Sequence, residues 1–416
     1  MAQAPTETIL TSVKSRTSPT FLEFVVVISM MMSLTALSID AMLPALPQIG
    51  SDLEIANPND RQLIVSVIFL GSAVGQLFFG PLSDRTGRKP AIYAGYALYM
   101  AGSLVSVFSL NFPMMLLGRV LQGLGISAPQ AVTRALIRDQ FEGRKMARVM
   151  SFTMMVFILV PMVAPTIGQG ILMVSGWRGI FGSFLFFALV TLVWFVLRIP
   201  ETLAPGDRTP FSMHRIVHAV REIFHIRSAI GYTLVAGLVN GVFLGYLNSS
   251  QQIFQEQYGL GDLFPLFFAL NSLSLGLASF TNAHLVMRFG MVKLARWSLG
   301  VVFGLAVVFV GLSLLLAGHP PLWGLMAYLM VSFFCIGILF GNINALAMQP
   351  LGHLAGIGAA VLGSLTTLIS TLLGTLIGRS YNGTVLPLII GMALLTGASI
   401  FVIRWAEQTP EPPIIR

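Results

Sequence analysis

The sequence predicts an all-α integral membrane protein of twelve transmembrane helices, arranged as two pseudo-symmetric six-helix bundles. Three observations lead there: the composition, a succession of apolar runs each long enough to cross a bilayer, and one long polar connection that divides those runs six and six. Hydrophobic residues are 55% of the 416 positions and charged residues only 10%, with a mean hydropathy of +0.83. A soluble globular chain does not reach such values, because it would expose too much apolar surface. The 41 Gly and 30 Phe suit helices packed in lipid, where small residues let backbones approach. A porin-type barrel would show alternating segments of about ten residues instead of continuous runs.

A helix needs about 20 mostly apolar residues to cross the hydrocarbon. After a polar cytoplasmic tail, 1–20, the runs place spans near residues 21–47, 61–82, 91–109, 114–138, 149–173 and 179–198, an N-terminal bundle over 21–199. The run from Phe21 is too long for a signal-peptide core and has no small-residue cleavage site behind it, so the first helix is read as uncleaved. The sixth span follows a tight Gly176-Trp177-Arg178-Gly179 turn. Residues 200–228 form a cytoplasmic linker. Within it, Phe211 to Ile226 sets Ile216, Val220, Ile223 and Phe224 opposite His214, His218, Arg221 and His225, the pattern of a helix lying on the membrane surface. His214 and His218 lack a third ligand, so no metal site is read there. The second bundle covers 229–404, with spans near 229–254, 263–286, 291–316, 322–347, 357–378 and 384–404, and a cytoplasmic tail, 405–416, follows. An internal repeat supports the division: Arg85-Thr86-Gly87 after the second span has a counterpart in Arg288-Phe289-Gly290 after the eighth.

The formal charge of +8 has a topological cause. If the first span leaves the cytoplasm, Arg61, Arg178 and Arg379 fall outside, Arg119 lies within a span, and every other Lys and Arg faces inside. That is the positive-inside rule, and no nucleic-acid partner is needed. The lone Cys335 cannot form an intrachain disulfide.

Ionisable residues in mid-span are functional candidates by default. Asp40 is the only carboxylate well inside a predicted helix, and Arg119 lies in the fourth span. Counting from their outer ends at 1.5 Å per residue puts both roughly 8 Å deep, so they could share one layer. A carboxylate so placed can exchange protons with the two compartments in turn. The alternative is that the two residues form static pairs or cap helix ends near Pro44 and Pro47, where the first span is irregular.

Between the second and third spans the chain becomes Gly80-Pro81-Leu82-Ser83-Asp84-Arg85-Thr86-Gly87-Arg88-Lys89-Pro90, a brief basic turn. Gly80 would permit close helix contact, Asp84 would cap the start of the third helix, Gly87 would make the turn, and Arg88 could pair with Asp139 as a latch or serve only as a topology charge. This turn resembles the signature loop of the major facilitator superfamily at Gly80, Asp84, Arg85, Gly87, Arg88 and Lys89. Arg119, Gln122, Gly123 and Gly125 resemble the family's fourth-helix motif, linked there to proton coupling. Pro161, Pro165, Gly168 and Gly170 resemble the fifth-helix motif of its antiporters, with Ala164 and Gln169 departing from the consensus. Ser38-Ile39-Asp40-Ala41-Met42-Leu43-Pro44-Ala45-Leu46-Pro47 is closest to the bicyclomycin and chloramphenicol resistance (Bcr/CflA) subfamily of twelve-span drug:proton antiporters.

The resemblance implies the major facilitator fold, with the first, fourth, seventh and tenth helices lining the cavity. Asn240, Tyr246 and Asn248 in the seventh span and Asn271 in the eighth are then candidate substrate contacts, although most such polar groups are interhelical glue, as Asn342 and Asn344 also could be. The expected protein is a monomer in a bacterial inner membrane with both termini cytoplasmic. It would use the proton as coupling ion, with no cofactor, and export small amphipathic, drug-like and amphenicol-like compounds. The same fold also supports an importer or facilitator of a small metabolite. No Walker loop, His-Glu-x-x-His or intramembrane carboxylate dyad suggests an enzyme.

Overall fold

The computed structural model describes residues 19–208 and 213–408, so Lys14, Arg16 and Arg416 lie outside the described residues. The helices are α1 Phe21–Asp40, α2 Leu46–Asp52, α3 Leu63–Thr86, α4 Arg88–Val107, α5 Phe112–Gln140, α6 Gly143–Arg198, α7 Met213–His225, α8 Arg227–Gln251, α9 Phe264–Phe289, α10 Met291–Leu315, α11 Leu322–Met348, α12 Ala355–Arg379 and α13 Leu386–Ala406. Ten stretches among the described residues are long and apolar enough to cross a membrane. One of them, Leu159–Arg198, holds two passes, and α5 is a further pass that composition alone does not register. Twelve passes result among the described residues, at the positions the apolar runs indicated.

Packing repeats between the halves. The pairs α3–α5, α4–α5, α4–α6 and α1–α6 recur as α9–α11, α10–α11, α10–α13 and α8–α12, and the two bundles meet along α3–α12 and α6–α9. One end of the molecule carries Arg85, Arg88, Lys89, Arg138, Arg144 and Lys145; it is called the basic end here, and the end with Arg61, Arg178 and Arg379 the far end. In the linker, α7 forms as expected and His218 lies 3.9 Å from Glu222 on its exposed face; the side chain of His214 is outside the described residues.

Local chemistry explains three departures from straight helix. Pro44 has no N–H to give the Asp40 carbonyl, so α1 stops at Asp40, a 3-10 turn covers Leu43–Ala45, and α2 completes the span. At Gly176 the backbone takes φ 68°, a value that favours glycine, and α6 folds back on itself there. Trp177 Nε1 anchors the reversal on Asp52 Oδ2 at 2.7 Å, and Arg178 stacks 4.1 Å over the Trp177 ring. The basic turn, finally, is almost entirely helical. α3 continues through Ser83-Asp84-Arg85-Thr86, α4 begins at Arg88, and only Gly87, at φ 108°, reverses the chain.

Helices approach closely where side chains are missing. A Cβ on Gly123 would sit 2.0 Å from the Ile68 carbonyl oxygen, one on Gly125 2.4 Å from the Tyr99 nitrogen, and one on Gly168 1.7 Å from the Ala41 carbonyl oxygen. Gly80 is the exception: a Cβ there would meet nothing within 4 Å, so the close contact expected of it is absent in this conformation. The Gly168 contact presses α6 against the break that follows Asp40. Gly168→Val should therefore destabilise the protein by roughly 1–3 kcal/mol through overpacking against backbone that cannot rotate away, read as a lowered melting temperature in detergent, whereas Gly170→Ala, at an open position, should leave it unchanged.

Candidate functional site

Arg119 is completely buried in α5. Its Nε donates to the Ile64 carbonyl of α3 at 2.9 Å, Nη2 to the Ser38 carbonyl of α1 at 2.9 Å, and Nη1 to Gln122 Oε1 at 2.8 Å. The Phe181 ring lies 5.6 Å from the guanidinium carbon. Gln122 is held in turn by Ser103 Oγ of α4 at 2.8 Å, and Ser38 Oγ shares a 2.6 Å hydrogen bond with Tyr99 OH. The planar fork thus ties α1, α3 and α5 together, with α4 behind them.

Asp40 sits two residues beyond the Ser38 carbonyl that Arg119 holds, so the two do occupy one layer. They are not an ion pair. The Arg119 donors are taken by carbonyls and Gln122, and no group among the described residues hydrogen-bonds the Asp40 carboxyl, which is only 4% exposed. The static-pair reading fails on this geometry, whereas the helix-end reading holds for Arg119, which caps the Ser38 carbonyl in the last turn of α1; the Asp40 oxygens are left without a hydrogen-bond partner among the described residues.

Across the bundle interface, Tyr246 of α8 lies within electrostatic reach of Asp40. Its hydroxyl accepts from Asn271 Nδ2 at 3.0 Å, and its ring packs 4.6 Å from Phe333 and 5.8 Å from Phe268. Phe243 extends this aromatic wall to Phe333 and Phe340 at 6.0 and 5.8 Å. The half-exposed positions of α8 past its first turn, Leu234, Leu238, Asn240 and Phe243, all precede Leu244, from which the chain is buried without interruption through Phe254. On α8 the far end is therefore enclosed, and its partial exposure lies short of Leu244.

The candidate substrate residues separate on this basis. Asn240 is half-buried, with Nδ2 on the Ala236 carbonyl of its own helix. Asn248 is wholly buried and donates to Ser66 Oγ of α3 at 3.0 Å, and Asn271 is spent on Tyr246; both tie helices together in this conformation. Asn342 joins Asn282 at 2.8 Å in the same way. Phe243, Phe333 and Phe340 were not singled out by sequence, because 30 Phe give no contrast. Arg134, counted there among the inner-surface charges, lies on α5 six residues before its end, roughly 9 Å inside. It is exposed, one turn from Gln130, which bonds Thr35 Oγ1 of α1 at 3.0 Å.

At the basic end the expected Arg88–Asp139 contact forms, Nε to Oδ2 at 2.8 Å, and Thr202 Oγ1 donates to the same oxygen at 2.9 Å. Asp84 does not cap α4. Its carboxylate accepts from Arg88 Nη1 at 2.5 Å, beside Ser83 Oγ at 2.9 Å. The free N–H groups that open α4, those of Arg88 and Lys89, are taken by the two carboxylate oxygens of Glu201, each at 2.9 Å. No motif in the sequence points to Glu201, which reaches back from the linker. All of these contacts stay within the first 208 residues.

Arg119→Lys keeps the charge but replaces a planar fork by a single nitrogen that cannot reach all three acceptors, so it should cost roughly 1–3 kcal/mol for each carbonyl left bare, seen as a lower melting temperature and as loss of transport. Glu201→Ala uncovers the start of α4 and should lower stability by about 1 kcal/mol, with Glu201→Asp recovering part of it.

The family described as Major Facilitator Superfamily matches residues 27–375. Among curated proteins the chain is 30% identical over 355 residues to the "Uncharacterized MFS-type transporter YdgK" of Bacillus subtilis, covering 84% of this chain and 87% of that one. It is 28% identical to the "Bicyclomycin resistance protein homolog" of Haemophilus influenzae, with 91% and 94% covered. It is 29% identical to the "Multidrug resistance protein MdtL" of Shewanella oneidensis, with 78% and 81% covered. Among solved structures, the human organic anion transporter MFSD10 (TETRAN) superposes with a TM-score of 0.69 at 15% identity, over 94% of this chain and 100% of that one. The xylose transporter XylE from E. coli, in a partially occluded inward-open conformation, gives 0.69 at 14% identity, over 92% and 96%.

Proposed function

Because the chain belongs to the major facilitator superfamily, and is therefore a multi-pass membrane transporter and not an enzyme, we propose that it is a proton-coupled exporter of small amphipathic compounds. The observation that carries this reading is Asp40: an enclosed carboxyl with no hydrogen-bond partner among the described residues, two positions from the Ser38 carbonyl that Arg119 clamps and within electrostatic reach of Tyr246 in the second bundle. A charge enclosed without a partner is costly, so the carboxyl is hydrated only when one end of the interior is open. Exchange of its proton is then tied to whichever end of the interior is open, and drug and proton use the central space in turn.

Direction and substrate class rest on three supports. The relatives are named for bicyclomycin and multidrug resistance. The wall of Tyr246, Phe243, Phe333 and Phe340 suits apolar and aromatic ligands, amphenicols among them. The second bundle carries little intramembrane charge. The positive-inside rule sets the basic end in the cytoplasm of a bacterial inner membrane, with both termini there. The structure then corresponds to the inward-open form, and rocking of residues 21–199 against 229–404 opens the other side. Proton is the coupling ion, no cofactor takes part, and one chain suffices. The fold itself does not give direction, since a D-xylose-proton symporter shares it at a TM-score of 0.70 and 13% identity.

Everted vesicles with an acid lumen test the proposal. Adding bicyclomycin or chloramphenicol should collapse part of the proton gradient with the wild-type protein, read by dequenching of an acridine dye. Asp40→Asn should reduce that response at least tenfold while leaving the protein folded. If Asp40→Asn vesicles still built a drug gradient that depended on the proton gradient, Asp40 would not be the coupling acid. Drug flux along the proton gradient, in the same direction, would make the protein an importer.

A further inference from the structure

We propose that the far-end seam between the bundles is a polar clasp, centred on the Asp60–Arg379 and Arg61–Glu256 ion pairs, that sets the balance between the form seen here and one open at the far end. The clasp rests on the reading of the chain as an alternating-access transporter, but its test does not depend on any substrate.

The seam is built where both bundles leave regular helix. A 3-10 turn, Pro58–Gln62, leads into α3, and a π-helical turn, Gln252–Gln257, ends the α8 span. Arg379 Nη2 lies 2.7 Å from Asp60 Oδ1, and Arg61 Nη1 lies 3.2 Å from Glu256 Oε1. Asn59 Nδ2 covers the carbonyls of Arg379 and Tyr381 at the end of α12, at 3.0 and 2.7 Å. Gln252 bridges Gln62 and Asn59 at 3.0 and 2.8 Å. Further round the rim, Gln169 Nε2 donates to Asp262 Oδ1 at 2.7 Å. Gln169 is one of the two residues that depart from the fifth-helix consensus, and its amide supplies a cross-bundle bond that glycine could not.

The seam is also poorly satisfied. Asp60 Oδ1, which meets Arg379 as an ion pair but not in hydrogen-bond geometry, is buried there without a hydrogen-bond partner among the described residues, as are Arg61 Nε, Gln62 Oε1, Gln169 Oε1, Asn248 Oδ1 and Gln251 Oε1. Such atoms regain hydration when the surfaces part, so the seam holds through its ion pairs and amide bonds while its orphaned atoms favour separation. At the basic end, by contrast, Arg88, Asp84 and Asp139 are joined inside one bundle, with Glu201 of the adjoining linker, and no bond among them reaches the second bundle. A polar interface of this kind is separable, which an apolar one of equal area would not be.

The ion pairs can be tested without transport. In a Cys335→Ala background, spin labels at Ala56→Cys and Leu263→Cys, exposed positions on opposite sides of the seam, report the gap by double electron–electron resonance in nanodiscs. Asp60→Arg and Arg379→Asp should each raise the long-distance fraction by about threefold to fivefold, and the Asp60→Arg/Arg379→Asp exchange should return it to the starting value. Should a reversal variant fail to fold, Asp60→Asn and Arg379→Gln give the same reading with a smaller shift. Unchanged distances in the single variants, or a double variant that adds the two shifts instead of cancelling them, would overturn the clasp. A protein that moved no drug but showed the predicted distances would sink the exporter reading and leave the clasp standing.

Discussion

A guanidinium enclosed by protein at membrane depth has no water to turn to, and in this molecule Arg119 finds its partners in the backbone of other helices. The carbonyls of Ser38 and Ile64 are both in place for it, and the Gln122 amide completes the set. Much else in the first bundle follows from meeting that demand. α1 must end where its Ser38 carbonyl can turn to Arg119, Gly168 must be bare for α6 to press against the break, and Gly123 and Gly125 must be bare for α5 to lie close to α3 and α4. Asp40 is left at the centre of these constraints, with a fixed backbone and an unengaged side chain.

The two ends of the molecule use charge in opposite ways. At the basic end, ion pairs join helices of one bundle to each other and hydrogen bonds from Glu201 and Thr202 tie the linker to them, which stiffens that bundle as a body. At the far end the Asp60–Arg379 and Arg61–Glu256 pairs run from one bundle to the other, beside the Arg178–Asp52 pair inside the first. A rocking transporter needs both: stiffness within each half, and attachments between halves that are numerous enough to close and weak enough to release. Exposed or half-exposed ion pairs and incompletely bonded amides supply attachments of that strength.

Span positions were readable from the sequence because hydrocarbon imposes a length and an apolar composition on each helix, and even α5, with its buried arginine, was placed by the turns around it. The Gly176 reversal was readable from four residues. Contacts made at long sequence distance were not. The loop motif has a pattern, yet nothing in it shows that Glu201, 113 residues from Arg88, takes the start of α4 and leaves Asp84 to Arg88. The shared depth of Asp40 and Arg119 came from counting residues, whereas the absence of an ion pair depends on side-chain direction, which counting does not provide. Asn248 and Asn271 looked like candidates for substrate because buried amides look alike in sequence whether they face a cavity or another helix.

The composition of α5 bears on how the protein is made. A segment carrying Arg119, Gln122, Gln130 and Arg134 is a poor substrate for insertion on its own, since each such residue raises the free energy of leaving the translocon for lipid. The carbonyls of Ser38 and Ile64 emerge from the ribosome earlier, on α1 and α3. The fourth pass is thus accepted into the bilayer as a guest of helices already resident there, and the order of the chain doubles as an order of assembly.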